Sequence, residues 1–203
     1  MAPKLRPHLG SHATDLSMPV IPSHAYLTLV LETEGGPVEV DHQMLDQLGL
    51  SPAMAFDSAL EWLRDHAGPH EVADVDTVPG MSYIQPDAGQ TASRLAVLPD
   101  LMEPAPLGGV LAAIPSGNQV LCVPVHSIDA VNALRVLAGA VGTAYEHATN
   151  PISDQLFWHD GAAWHVVHVD RGEADITVLP PQCFFDRMRQ VASMDLVRVA
   201  GEA

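Results

Sequence analysis

Val110-Leu111-Ala112-Ala113-Ile114-Pro115-Ser116-Gly117-Asn118-Gln119-Val120-Leu121-Cys122-Val123-Pro124-Val125 sets two apolar runs on either side of a short polar turn. Neither run alternates apolar with polar, as a strand with one wet face does. Residues 110–114 and 120–125 therefore read as a hairpin buried on both faces, joined by Pro115-Ser116-Gly117-Asn118. A sheet covered on both sides needs a layer above and a layer below, and the flanking sequence supplies them.

Downstream, Ser127 is placed to cap a long helix reaching about Thr149. Ile128, Val131, Leu134, Leu137 or Ala138, Val141 and Tyr145 form its apolar stripe. Gly139 and Gly142 lie inside that helix and each cost about 1 kcal/mol against alanine, which implies close contact with the sheet. Asn150-Pro151 stops it. Residues 155–159 and 162–169 then flank Asp160-Gly161, a two-residue hairpin turn. A strand at 176–179, Pro180-Pro181 and a helix from about Phe184 to Val191 follow.

Upstream, Ser51-Pro52 opens a helix with serine at the cap and proline at the first position, where its missing N–H loses nothing. Phe56, Ala59, Leu60 and Leu63 recur at helical spacing, and Gly68-Pro69 ends the element. A shorter helix at His42–Leu48 is stopped by Gly49. Residues 25–32 and 38–40 form a hairpin around Glu34-Gly35-Gly36-Pro37. One or two short strands are expected within 71–85, broken at Pro79-Gly80, then a short helix at 91–98 and a loop at 99–109. Residues 1–20 hold prolines and histidines without periodicity and read as a flexible arm. The class is α+β: a mostly antiparallel sheet built from hairpins and packed by two or three helices. The expected division is a flexible N-terminal arm over 1–22 and a single α+β domain over 23–200.

Composition narrows the function. The chain has 203 residues, 47% of them apolar, which is ordinary for a globular protein. Twenty-five Asp and Glu oppose nine Lys and Arg, for a formal net charge of −16. Without a basic stripe to displace counterions, nucleic acid is not an expected partner, and anionic membrane surfaces are excluded on the same ground. The acidic residues are dispersed, as on a solubilising surface, with a salt-sensitive basic partner as the alternative. No apolar run is long enough to span a membrane, and no apolar segment follows Lys4 and Arg6 to make a signal peptide. Cys122 and Cys183 cannot form a disulfide framework and are expected reduced, in a cytoplasm. Scarce lysine with abundant Ala, Val, Asp and Arg points to a bacterial source.

Several stretches carry a resemblance. Ala92-Ser93-Arg94-Leu95, Val110 to Pro115, Gln119 to Val123, Asn150-Pro151-Ile152-Ser153 and the Leu156-Phe157…Asp160-Gly161…Trp164 hairpin are the first group. Val40-Asp41…Leu45…Leu48-Gly49-Leu50-Ser51…Ala59-Leu60-Glu61-Trp62-Leu63 is the second. Over roughly residues 25–169 the chain resembles an uncharacterised bacterial family, the YtpQ-like proteins. The resemblance implies an α+β domain and assigns no activity. Relatives often place an acidic residue in the turn after the Ile-Pro, whereas this chain has Ser116-Gly117-Asn118 there.

Eleven histidines raise the question of a metal, and His159, His165 and His168 are the densest cluster. A two-residue Asp160-Gly161 turn puts His159 opposite Ala162, so His159 and His168 share one face and His165 takes the other. On that face the first two stand roughly 20 Å apart, at about 3.3 Å per residue, too far to share an ion. His66 and His70 have i, i+4 spacing, but Gly68-Pro69 between them breaks the helix that spacing needs. His42 over Asp46 reads as a solvated helix start. No metal site and no cofactor is expected.

Cys122 lies in an apolar strand and reads as core; Cys183, near a helix start with no legible histidine partner, reads as structural. Leu107-Gly108-Gly109-Val110 is too short a glycine run to cradle a phosphate. Arg94 is one of only two Lys or Arg residues between Arg6 and Arg135, and it reads as paired with Asp100 nearby, or as an anion binder at a pocket edge. His126, at a strand-to-helix junction, is the histidine best placed to line a cleft. The ligand-binding candidates are Arg94, Asn118 and His126; His126, His159 and Arg94 are the candidates for any catalysis. The reading favoured is a non-catalytic accessory protein that binds a protein partner or a small molecule. The alternative is a small tailoring enzyme using acid–base chemistry on a metabolite or peptide in a biosynthetic pathway.

Overall fold

Strands β1 (Lys4–Gly10), β2 (Met18–Ile21), β3 (Ala25–Thr33) and β4 (Gly36–Glu39) form one antiparallel sheet. The computed structural model describes residues 4–33, 35–66, 72–74, 82–84, 91–102, 105–172 and 175–201, with 4–7, 32, 66, 72–74, 82–84 and 195–201 described as backbone. Strand β3 is the spine. Along one edge it pairs with β1 from Lys4↔Glu32 to Gly10↔Tyr26, and its other edge is shared between β2 and β4. Within the span 1–22 expected as an arm, residues 4–10 and 18–21 form β1 and β2. Leu9, Leu16 and Ile21 are buried in the core. Pro7 is admitted because β1 is an edge strand, where a missing N–H removes no ladder bond from the sheet interior.

A second antiparallel sheet runs in the order β11-β10-β9-β7-β8-β6-β5. Its strands are β5 (Val72–Asp74), β6 (Ser82–Ile84), β7 (Val110–Ser116), β8 (Gln119–Pro124), β9 (Leu156–His159), β10 (Trp164–Arg171) and β11 (Ile176–Leu179). The short strands expected within 71–85 are β5 and β6; Pro79-Gly80, Gly68-Pro69 and His70 lie outside the described residues. The β7–β8 hairpin turns at Gly117-Asn118, and β7 continues through Pro115. Its register shifts between Ala113 and Ser116, where residues 150–153 dock instead: Ile152 N donates to Pro115 O at 3.1 Å and Ser153 N to Ile114 O at 3.1 Å.

The two faces of this hairpin serve two cores. Val110, Ala112, Ile114, Val120 and Cys122 pack toward the smaller sheet and the helices α1 (His42–Leu48) and α2 (Pro52–His66), together with Leu27, Leu45, Phe56 and Leu95. Leu111, Ala113, Leu121 and Val123 pack under α3 (Ala130–Glu146) and α4 (Gln182–Gly201), with Leu137, Val141, Trp158 and Phe184. The expected hairpin buried on both faces is thus the middle of a layered α+β fold. No helix among the described residues is long and apolar enough to cross a membrane.

Local chemistry sets the helix ends. Asp41 Oδ1 accepts from Met44 N at 2.8 Å, and Gly49 closes α1 at φ 68°. Ser51 Oγ accepts from Met54 N at 3.3 Å ahead of Pro52. Ser127 caps only a lead-in turn, its Oγ accepting from Asp129 N at 3.2 Å, and α3 begins three residues later at Ala130. As a result Ile128 and Val131, expected on the apolar stripe, are exposed, while Leu134, Leu137, Ala138 and Val141 are buried. The predicted short helix at 91–98 is a 3-10 helix at Thr91–Ala96, followed by another at Leu98–Leu101.

Candidate functional site

The tip of the β9–β10 hairpin is built by one carboxylate. Asp160 Oδ1 accepts from the N–H groups of Ala162 and Ala163 at 2.8 and 2.9 Å, and Asp160 N donates to Ala163 O at 3.2 Å. These bonds close a four-residue loop rather than the two-residue turn expected, and the last strand pair is His159↔Trp164. The slip is two residues, so every side chain keeps the face predicted for it: His159, Trp164 and His168 on one side, His165 on the other.

His159 and Trp164 meet with ring centroids 5.0 Å apart at 63°. They line one wall of a cleft of about 500 Å³ whose other walls are β2, the last turns of α2 and the 3-10 turn at Leu98–Leu101. Met18 and Leu60 supply apolar lining, and Arg64 and Asp100 supply charge. Arg64 Nε donates to Asp100 Oδ2 at 2.8 Å, with both side chains about half exposed, so the pair is worth little to stability but is presented to the cleft. The carboxylate expected beside Arg94 is therefore committed to a different arginine.

The protonation of His159 can be worked out from its surroundings. Burial pushes its pKa below the usual 6.5; the charges of Asp160 and Asp100 pull it back, and His165 opposes them. The imidazole is accordingly neutral near neutral pH. Its Nδ1 accepts from Gly161 N at 3.2 Å, so the ring proton sits on Nε2. A neutral ring held in that form offers a donor at Nε2, and its one lone pair is already engaged. Such a group orients a ligand better than it abstracts a proton.

The remaining candidates are not brought together. Arg94 is buried in the 3-10 helix at 3% exposure, and desolvation lowers its pKa. Asn118 is exposed in the β7–β8 turn, where its Oδ1 accepts from Ser116 Oγ at 2.6 Å. His126 is exposed beyond the end of β8. None of these three lines the cleft of His159. Among the described residues no three His, Cys, Asp or Glu side chains gather in a way that would hold a metal ion. Arg64, Asp100 and Trp164 were absent from the sequence candidates. The one signal available for Arg64 was the scarcity of cations, since it shares the long interval between Arg6 and Arg135 with Arg94 alone.

Comparison with protein-family models, with curated proteins and with solved structures finds no match to this chain.

Proposed function

We propose that this chain is a YtpQ-like, non-catalytic accessory protein of a bacterial cytoplasm whose cleft between β2, α2 and the β9–β10 hairpin binds a small molecule. The observation that carries the reading is the convergence of Arg64, Asp100, His159 and Trp164 on one concavity of about 500 Å³. A planar apolar body stacks against Trp164 and packs on Met18 and Leu60, while a polar end meets the Arg64–Asp100 pair and the Nε2–H of His159. The committed lone pair of His159 speaks against the tailoring-enzyme alternative, as does the scattering of His126 and Arg94 away from the cleft.

The test is a fragment screen by ligand-observed NMR on the native chain, repeated with Trp164→Ala and Arg64→Ala. Hits carrying a flat ring and a charged group should bind the native protein and weaken by about tenfold or more in each variant, the loss of one aromatic or charge-assisted contact. Hits that bind both variants as well as the native chain would place the ligand elsewhere.

A further inference from the structure

On the opposite face of the large sheet from that cleft, three elements bring together a carboxylate, an imidazole and a thiol. While Oδ1 of Asp160 holds the loop, its Oδ2 lies 2.9 Å from Nε2 of His165. Burial works against the ionised form of Asp160, but the bonds from Ala163 and Ala162 and from His165 bring its pKa from the usual 3.8 down to about 2. A carboxylate only accepts, so Nε2 of His165 carries the ring proton and Nδ1 turns a lone pair outward. Nδ1 is 4.0 Å from Sγ of Cys183. Packing fixes the ring: His165 lies against Trp158 with centroids 5.2 Å apart at 32°, and Trp158 Nε1 donates to Gly108 O at 2.8 Å.

The thiol is placed to be reached. Cys183 is exposed and is the second residue of α4, a 20-residue helix, at the end where backbone N–H groups favour negative charge. Arg187, one turn further along the same side of α4, donates Nη2 to Asp160 O at 3.1 Å, which holds a cation beside the group. Neither Cys183 nor His165 lines the cleft described above.

We propose that Cys183, oriented by His165 and Asp160, is a site of reversible covalent capture that exchanges with a low-molecular-weight disulfide. His165 Nδ1 takes the thiol proton, and the Cys183 sulfur attacks one sulfur of the disulfide R–S–S–R. A Cys183–S–S–R bond forms as the original S–S bond breaks. The departing RS⁻ keeps the bonding pair and collects the proton from His165, leaving as RSH. Cys183 is oxidised and the disulfide is reduced, with no net proton change. Exchange of this kind asks only for an accessible, activated sulfur, whereas acyl transfer also asks for a pocket of donors around the developing oxyanion. The other cysteine, Cys122, is fully buried in β8 and belongs to the other core, so it is not placed to displace the adduct. The captured form persists until an external thiol removes it.

The experiment follows reaction of the native chain with a chromogenic aromatic disulfide and, by mass spectrometry, with oxidised glutathione. One adduct should form, on Cys183, about tenfold faster than on N-acetylcysteine at the same pH, and a small thiol should reverse it. Cys183→Ser should take no adduct, and His165→Gln should slow the reaction to the free-thiol rate while the melting curve stays in place. Reaction at the free-thiol rate in the native chain would overturn the proposal, as would full speed in His165→Gln or an adduct on Cys122. If His165→Gln shifts the melting curve, the comparison of native chain with free thiol decides alone. Multiple turnovers of a chromogenic thioester would replace capture with acyl transfer.

Discussion

At Gly109 the backbone takes φ +82°, and a side chain there would run into the carbonyl oxygen of His159. Gly108 just before it accepts from Trp158 Nε1 and has the Val125 side chain in the space a Cβ would need. In the sequence these glycines registered only as a run too short for a phosphate. Their role is to let a loop lie flat against β9, a contact between residues 50 positions apart that no local pattern encodes. Gly109→Ala should therefore cost about 3 kcal/mol, from a strained left-handed alanine and the collision with β9 together. Chemical denaturation of the variant measures this. A change under about 0.5 kcal/mol would mean that the loop can lift off the strand. The same locality explains the candidate residues. His159 was legible because it borders a turn signal, whereas Arg64 and Asp100 meet across 36 positions and Trp164 counted only as part of a hairpin pattern.

Among the elements, the buried hairpin, α1, α2 and the order of strands and helices from residue 25 onward were readable from apolar periodicity and end signals. Strand β1 was not. Leu5, Pro7 and Leu9 do alternate with Lys4, Arg6 and His8, but proline and histidine at these positions read as punctuation. Only β3, a long apolar strand with a free edge, turns that alternation into structure. Helix α4, expected from about Phe184 to Val191, runs from Gln182 to Gly201, with Phe184, Met188 and Val191 buried among the side chains described. Within α3 the two glycines, expected to make the same close contact, separate into different cases. A Cβ on Gly142 would meet Arg171 Nε at 2.8 Å, and Arg171 lies over that position to bond Ala138 O at 3.1 Å and Asp154 Oδ2 at 3.0 Å. At Gly139 the nearest atom is Ile176 Cδ1 at 4.0 Å, ordinary contact distance. Gly139→Ala should stabilise the chain by about 0.5–1 kcal/mol, the helix propensity recovered, while Gly142→Ala should destabilise it by displacing Arg171. Thermal melts of the two variants should move in opposite directions, and parallel shifts would contradict the packing of Arg171 across α3.

For the molecule as a whole, the layers half-bury imidazoles as well as burying apolar side chains, and this makes stability depend on pH in a specific direction. Burial lowers the pKa of His24 below 6.5, with His168 lowering it further and Asp154 opposing, and burial likewise lowers that of His159. Below 6.5 the unfolded chain then binds more protons than the folded one. Stability is complete above that value and is lost as pH falls through it toward the folded-state values. Asp160 acts in a lower window: its folded pKa of about 2 lies beneath the usual 3.8, so its contribution is present above 3.8 and disappears as pH falls toward 2. The net charge of −16 works the other way, since protonating surface carboxylates relieves their mutual repulsion. That relief sets in near the carboxylate range, about pH 4, whereas the histidine window spans about pH 8 to pH 5, so the two are separable. Added salt separates them further by screening the exposed charges more than the half-buried imidazoles. Urea midpoints at high salt should therefore fall as pH drops from about 8 to about 5, and a His24→Gln, His159→Gln double variant should flatten that fall. Asp160→Asn should deepen this fall, because the charge that holds the His159 pKa up is gone, and should reduce the second loss below about pH 4, where the wild-type carboxylate takes up its proton. A midpoint that rises on acidification through 6.5 would mean that the imidazoles gain a partner on folding rather than lose their water.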